Sequence, residues 1–299
     1  MSEGTQLLLD DLIRLHVKAR GLELGARRKA LSAQAGGYRS AYRGRGMEFD
    51  EVRSYQPTDD ARTIDWRVTA RRGKPHTKLF REERERPVLL LVDLHPGMFF
   101  GSQVQFKSVQ AGKLAALLGW SATRAGDRVG GVVTSMKGHK EIHPAARQKG
   151  LMPLIHSMVE LQPQQPDAMT PGGMDMALAR LARMAHPGSL VAIFSDFREM
   201  GDSAEKHLGS LVRHNDVIAC LVNDPLESEV PPAGYYRLGS GNRRIDLDTS
   251  QRGVKRKWMG QFTDHSEAVR SLCRRHSIHF MQASTIDDPL RALQLGLKR

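Results

Sequence analysis

Cysteine is nearly absent from this chain. Only Cys220 and Cys273 occur among 299 residues, and neither belongs to a C-x-x-C pair. That excludes a disulfide framework and a cysteine-based zinc site. Both sit in apolar surroundings, IACLV and SLCRR, where a free thiol behaves as a small core residue. Long hydrophobic runs are missing as well. No stretch approaches the ~20 apolar residues that cross a bilayer, and the most apolar run, Val88 to Val92, is strand-sized and ends at Asp93. The N-terminus carries acids and has neither the basic start nor the small-residue cleavage site of a signal peptide, so a cytoplasmic protein is expected. Phosphate cradles are lacking too: there is no G-x-x-x-x-G-K-[ST], and Gly44-Arg45-Gly46 follows no predicted strand. A G-x-S-x-G nucleophile elbow is also absent.

What is present fits a folded domain. Hydrophobic residues make up 40% and charged residues 26%, close to soluble globular averages and incompatible with wholesale disorder. The length allows one large α/β domain, alone or with a smaller companion. The net charge of +12 can attract nucleic acid, anionic lipid or an acidic protein. The basic residues are mostly interleaved with acids, which fits internal ion pairs better than a phosphate-binding stripe.

Three regions differ in rhythm. Residues 1–35 form an N-terminal helical segment, with a broad apolar face over 5–32 that Gly21 and Gly25 weaken. Residues 36–86 are rich in Arg and Asp and short of periodicity, so they predict a small irregular β-rich subdomain of turns and one or two hairpins. Asp59 or Asp60 could cap a short helix there. Residues 87–299 alternate strand and helix. Strands are expected at 87–93, 127–135, 189–197, 216–224 and 279–285. Helices are expected at 106–126, 151–161, 175–185, 203–214, 264–278 and 287–297. That alternation predicts a doubly wound, mostly parallel sheet with helices on both faces.

Ligands of such sheets bind outside the carboxyl ends of the strands. Asp93 and Asp196 fall at two such ends and face one crevice if their strands are neighbours. Paired carboxylates suit a divalent cation, and His95, close behind Asp93, adds an imidazole of the kind that transition metals prefer. Loop capping by the two aspartates is the plainer alternative. A second feature lies upstream, where Glu48, Asp50, Glu51, Asp59, Asp60 and Asp65 intermingle with Arg53, Arg62, Arg67, Arg71 and Arg72 around Trp66. It reads either as a surface ion-pair lattice, each exposed pair contributing at most ~1 kcal/mol, or as a rigid recognition face, since arginine and aromatic side chains dominate interface hot spots.

At this segment the sequence resembles the bacterial domain-of-unknown-function family number 58. The matching residues are Gly46, Glu48, Phe49, Arg53, Tyr55, Asp59, Asp60, Arg62, Ile64, Asp65, Trp66, Ala70, Arg71, Phe80 and Glu83, with Thr58 in place of the usual glycine. The likeness continues through VLLLVD, the G-D-R-V-G strand start, the S-D-F strand end and the closing D-P-x-x-A-L helix. It covers roughly residues 35 to 299. That family is similar to von Willebrand factor type A domains, and its genes commonly accompany MoxR-type AAA ATPases. The resemblance therefore implies a type A-like fold and a protein partner, an ATPase with its client, in chaperone-like assembly or maturation. It also implies a metal-ion-dependent adhesion site at Asp93 and Asp196. Here that site is expected to be degenerate, because His95 and Gly97 stand where serines would be. The threonine position falls on Met174 or on Thr170, and the family spacing favours Met174.

The leading expectation is a non-enzymatic adaptor without a required cofactor. Two other classes stay open: a metal-dependent hydrolase using Asp93, His95 and Asp196, and binding to nucleic acid or an anionic surface through Arg243-Arg244 and Lys255-Arg256-Lys257.

Overall fold

The computed structural model describes residues 4–22, 47–56, 64–82, 86–165, 172–229, 231–240 and 243–298. In chain order the elements begin with α1 (Leu9–Lys18), β1 (Met47–Ser54), α2 (Trp66–Arg72) and β2 (His76–Glu82). Next come β3 (Pro87–Leu94), α3 (Lys107–Arg124), β4 (Arg128–Ser135), β5 (Gly138–Ala146), α4 (Gln148–Leu161) and α5 (Gly173–Met184). They are followed by β6 (Leu190–Ser195), α6 (Ala204–Val212), β7 (Asp216–Asn223) and the single turn α7 (Pro225–Ser228). The chain closes with β8 (Tyr235–Ser240), β9 (Arg243–Asp248), α8 (Arg252–Arg275), β10 (His279–Ser284) and α9 (Pro289–Lys298). Two compact units result, one of residues 35–85 and one joining residues 1–34 to 86–299.

The larger unit is built on a six-stranded sheet in the order β5-β4-β3-β6-β7-β10. Every pairing is parallel except that of the edge strand β5 with β4. Counted within the sheet this is the doubly wound order 3-2-1-4-5-6, whose direction of winding reverses between β3 and β6. The continuous apolar run of β3 follows from burial on both faces. Successive side chains point to opposite sides of a strand. Val88, Leu90 and Val92 accordingly enter the core under α1, α3, α4 and α9, while Leu89 and Leu91 enter the core under α5, α6 and α8. The sequence-predicted class, a mostly parallel sheet between two helical layers, is the observed one. Cys220 and Cys273 lie in these two cores, and burial pushes the Cys273 thiol up to about 11.

Close strand approach explains the glycines of β4. A Cβ on Gly131 would lie 1.9 Å from the Leu90 carbonyl oxygen of the adjacent strand.

The N-terminal helix is shorter than its apolar pattern suggests. It ends at Lys18, and a single 3-10 turn over Ala19–Gly21 leads to an extended Leu22; the remainder of the expected helix lies outside the described residues. Leu7, Leu12, Ala19 and Leu22 nevertheless join the main core. Trp120 Nε1 donates to the Leu12 carbonyl at 2.9 Å and Ser121 Oγ to that of Leu22 at 2.7 Å. At the other end, α8 starts at Arg252, well before the expected Asp264. Its first half carries Val254, Trp258 and Phe262 every fourth residue, a one-sided stripe that dense basic residues hide in a reading by composition. The antiparallel ribbon β8–β9 is a further element that the sequence pattern does not predict.

In the smaller unit β1 and β2 pair antiparallel, with an irregularity between Phe49 and Glu51. Between them lies α2, a helix in a stretch expected to hold turns and hairpins. Its cap is Asp65, whose side chain accepts from Arg67 N at 3.0 Å and Val68 N at 3.1 Å. Asp59 and Asp60, the residues expected to cap a helix, lie outside the described residues. Gly73 closes the helix in the left-handed region at φ 68, a conformation that favours glycine.

Candidate functional site

The parallel register places Val92 opposite Phe194, so the carboxyl ends of β3 and β6 lie side by side at the point where the winding reverses. Asp93 and Asp196 stand at these ends, both buried. Asp93 is held by its neighbours: Ser195 Oγ donates to Oδ2 at 2.6 Å, and the His95 amide to Oδ1 at 3.2 Å. Ser195 Oγ in turn accepts from Phe197 N at 2.8 Å, in a turn where Phe197 takes φ 57.

The residue that dominates the crevice is one that sequence reasoning missed. Lys107 opens α3 and is only 1% exposed, yet it is charged. Its Nζ lies 2.8 Å from Asp196 Oδ2 and 2.8 Å from Glu227 Oε1, with the Phe100 ring centroid 5.9 Å away. Glu227 is fixed by a capping box on α7. Its Oε2 accepts from Asp224 N at 2.9 Å, while Asp224 Oδ1 accepts from Leu226 N at 2.9 Å. Trp258 Nε1, from α8, donates to the Leu226 carbonyl at 2.8 Å and ties down the same turn. At the rim Arg198, its side chain 36% exposed, reaches Glu227 Oε1 at 3.5 Å and Asp196 Oδ2 at 3.8 Å.

A third carboxylate, Asp224, stands directly after β7. It is stabilised as the carboxylate in a different way, accepting from Ser102 N at 2.9 Å, Ser102 Oγ at 2.5 Å and Thr285 Oγ1 at 2.5 Å.

Burial raises the pKa of Asp93, outweighing the lowering by His95 and by the Ser195 hydrogen bond. Burial works on Asp196 in the same sense, yet the Lys107 ammonium and the His95 ring overcome it and hold that carboxyl below the usual range. Lys107 shows the mirror image: burial opposes its charge, and the Asp196 and Glu227 carboxylates more than restore it, so its pKa is raised. The paired state is thus an ammonium between two carboxylates, while Asp93 is pushed toward its neutral form.

His95 lies between the two aspartates. Nε2 is 3.2 Å from Asp196 Oδ1 and Nδ1 is 3.6 Å from Asp93 Oδ1. Neither approach has hydrogen-bond geometry, so both ring nitrogens are buried without a hydrogen-bond partner. The divalent-cation site implied by the resemblance does not fit this donor set. An ion bridging Asp93 and Asp196 would have to displace the ring, and an ion on Asp196 would meet the lysine ammonium. Among the described residues the other expected ligand positions add no oxygen from a side chain. Gly97 lies in the 3-10 turn Pro96–Met98, Met174 is buried in the core with Leu89 and Ile193, and Thr170 lies outside the described residues.

The residues singled out around the family motif are dispersed in the smaller unit. Glu48 is on β1 opposite Arg81. Arg53 is the last residue but one of that strand, and Tyr55 N donates to the Pro75 carbonyl at 2.9 Å. Trp66, 71% exposed, shares the outer side of α2 with Arg67, Ala70 and Arg71, all exposed. Arg62 lies outside the described residues. Of the basic residues considered for anionic surfaces, Arg243 and Arg244 are on β9 and Lys255–Lys257 on the first turns of α8. Among the described residues no helix is long and apolar enough to cross a membrane.

Comparison with known proteins agrees with the motif string. An uncharacterized protein of Mycobacterium tuberculosis is 29% identical over 222 residues, 74% of this chain and 69% of its own length. Two solved structures share part of the chain trace. An aerotolerance-related membrane protein from Bacteroides fragilis has a TM-score of 0.46 at 14% identity, covering 71% of this chain and 98% of that one. A von Willebrand factor type A protein from Catenulispora acidiphila has a TM-score of 0.35 at 10% identity, covering 75% of this chain and 43% of that one. The profile of the family described as Protein of unknown function DUF58 matches residues 51–268, well over half of the sequence, and the chain belongs to that family.

Proposed function

We propose that this chain is a non-enzymatic protein-interaction module of the cytoplasm. In this reading it works with a MoxR-type AAA ATPase and its client in chaperone-like assembly or maturation of complexes. The observation that carries the reading is the state of the switch-point crevice. The two carboxylates a hydrolase would draw on are already committed, Asp196 to Lys107 and Asp93 to Ser195, and the imidazole between them, His95, is buried. A catalytic carboxylate or imidazole needs a reach to substrate and a poised proton, whereas these side chains are buried and serve to fix the loops they sit on. What projects outward is the exposed side of α2, where Trp66, Arg67 and Arg71 supply the residue types that anchor interfaces. The ATPase itself is suggested by the family resemblance.

The test is co-expression with the MoxR-type ATPase of the same genome, affinity capture and size-exclusion chromatography. A co-eluting complex is expected, weakened by a combined Trp66→Ala and Arg71→Ala change. Separate elution, together with native captures that contain no AAA ATPase, sinks the reading.

A further inference from the structure

The crevice at the sheet's switch point has the carboxylates that attract a hard cation and, in the same place, a cation belonging to the chain. We propose that the Lys107 ammonium is the resident cation of this crevice and stands where a divalent metal would bind, so that the edge keeps its form without metal. The inference concerns the crevice alone and holds whatever partner docks on the protein.

Three observations carry it. The first is geometric. Nζ contacts Asp196 and Glu227 at 2.8 Å each, and so joins the end of β6 to the turn after β7, the bridging role a metal ion fills between hard oxygen ligands. The second is charge balance. The buried groups facing one another are Asp93, His95, Asp196 and Lys107, with Glu227 partly buried beside them and Arg198 at the rim. Both carboxylates that Lys107 touches, Asp196 and Glu227, also have the Arg198 guanidinium within 3.8 Å, so two carboxylates face two cations, while Asp93 takes hydrogen bonds from Ser195 Oγ and the His95 amide. Asp224, the remaining carboxylate of this edge, is answered by hydroxyl and amide donors.

The third is the position of the lysine. It is the first residue of an 18-residue helix, the end whose dipole disfavours a positive charge. It is also among the largest fully buried side chains of the protein. Lysine is rarely buried this deeply unless paired, and here the pairing with Asp196 and Glu227 holds the ammonium at a helix start that disfavours it, which marks a site built around the ammonium.

The experiment uses the untagged full chain and the metal alone. Mn²⁺ is titrated and the free ion counted by electron paramagnetic resonance, and melting is followed with Mg²⁺, Mn²⁺, Zn²⁺ or a chelator. The wild type is expected to leave the Mn²⁺ signal unattenuated and to melt at one temperature in all four conditions. Lys107→Ala is expected to bind one Mn²⁺ per chain and to melt higher in its presence, and adding Asp196→Asn is expected to abolish both effects. A wild type that binds one ion, lost in Asp196→Asn alone, overturns the proposal. A folded Lys107→Ala protein that ignores every ion also counts against it. Should that variant fail to fold, the wild-type titration still decides.

Discussion

Replacing Lys107 by methionine keeps most of the side-chain volume and removes the charge. The ammonium is fully enclosed, so the change strands Asp196 without its main counter-ion and removes a partner from Glu227. Removing one member of a buried ion pair costs about 3–5 kcal/mol. The lower end applies because Glu227 keeps some contact with water and both carboxylates retain Arg198 at the rim. For a domain of this size 1 kcal/mol moves the melting temperature by about 2–4 °C, so a fall of about 6–12 °C is expected near neutral pH. The pH dependence follows from the same contacts. In the wild type Asp196 is held below its ordinary value despite burial, chiefly by Lys107. Its contribution is therefore present above the unfolded carboxylate range and lost as pH falls through the folded value. In the variant burial dominates, Asp196 takes up its proton at higher pH, and the neutral form no longer needs the lysine. The deficit should narrow between about pH 7 and about pH 4. Melting followed by circular dichroism checks both points. A loss under about 2 °C near neutrality, or a deficit constant across that interval, refutes the assignment of Lys107 as the counter-ion.

Other perturbations test neighbouring parts of the argument. Asp93 has a raised folded pKa, so its carboxyl contributes stability below the ordinary carboxylate range that is lost as pH rises through the folded value. Asp93→Asn escapes that loss, and the melting difference should move in the variant's favour with rising pH; a difference independent of pH contradicts the burial argument. Asp65→Ala removes the cap of α2 and should cost about 1 kcal/mol. Faster amide exchange over Trp66–Arg72 would register it, and unchanged protection would show that the cap is dispensable. Gly131→Ala drives a Cβ to within 1.9 Å of the Leu90 carbonyl oxygen in the middle of the sheet. Backbone cannot yield there as a side-chain tip does, so a loss of about 3 kcal/mol or more is expected, and a melting temperature near that of the wild type would mean that the strands part easily.

The fold was legible where burial on two faces leaves a strong mark. Runs such as Val88–Val92 and Leu190–Phe194 are apolar without alternation because each strand has a helical layer on either side. Their terminal aspartates stand out because the run stops at them. Where an element buries only one side, the mark is weaker. The first half of α8 shows an apolar residue every fourth position, and the arginines and lysines between dominate its composition. The ribbon β8–β9 has strong alternation only over Arg244–Asp248, too short a signal to separate from loop.

The site was half legible, for a different reason. Asp93 and Asp196 were found because position alone marks them, but the sequence offers no clue to Lys107. Its partners lie 89 and 120 residues further along the chain, and only the strand register brings them within 2.8 Å. The three strand-end aspartates make the point physically. Asp93 meets burial and a serine hydroxyl, Asp196 meets an ammonium, and Asp224 meets two hydroxyls and backbone amides. The same residue type at the same place in the fold thus answers its negative charge in three ways: by a shift toward the neutral acid, by an ion pair and by hydrogen bonds. In each case the carboxyl finds its partners within the chain, which leaves less for a metal to supply. A pair of carboxylates at a switch point therefore predicts a cation without specifying its source, and in this chain the source is a lysine at the start of the following helix.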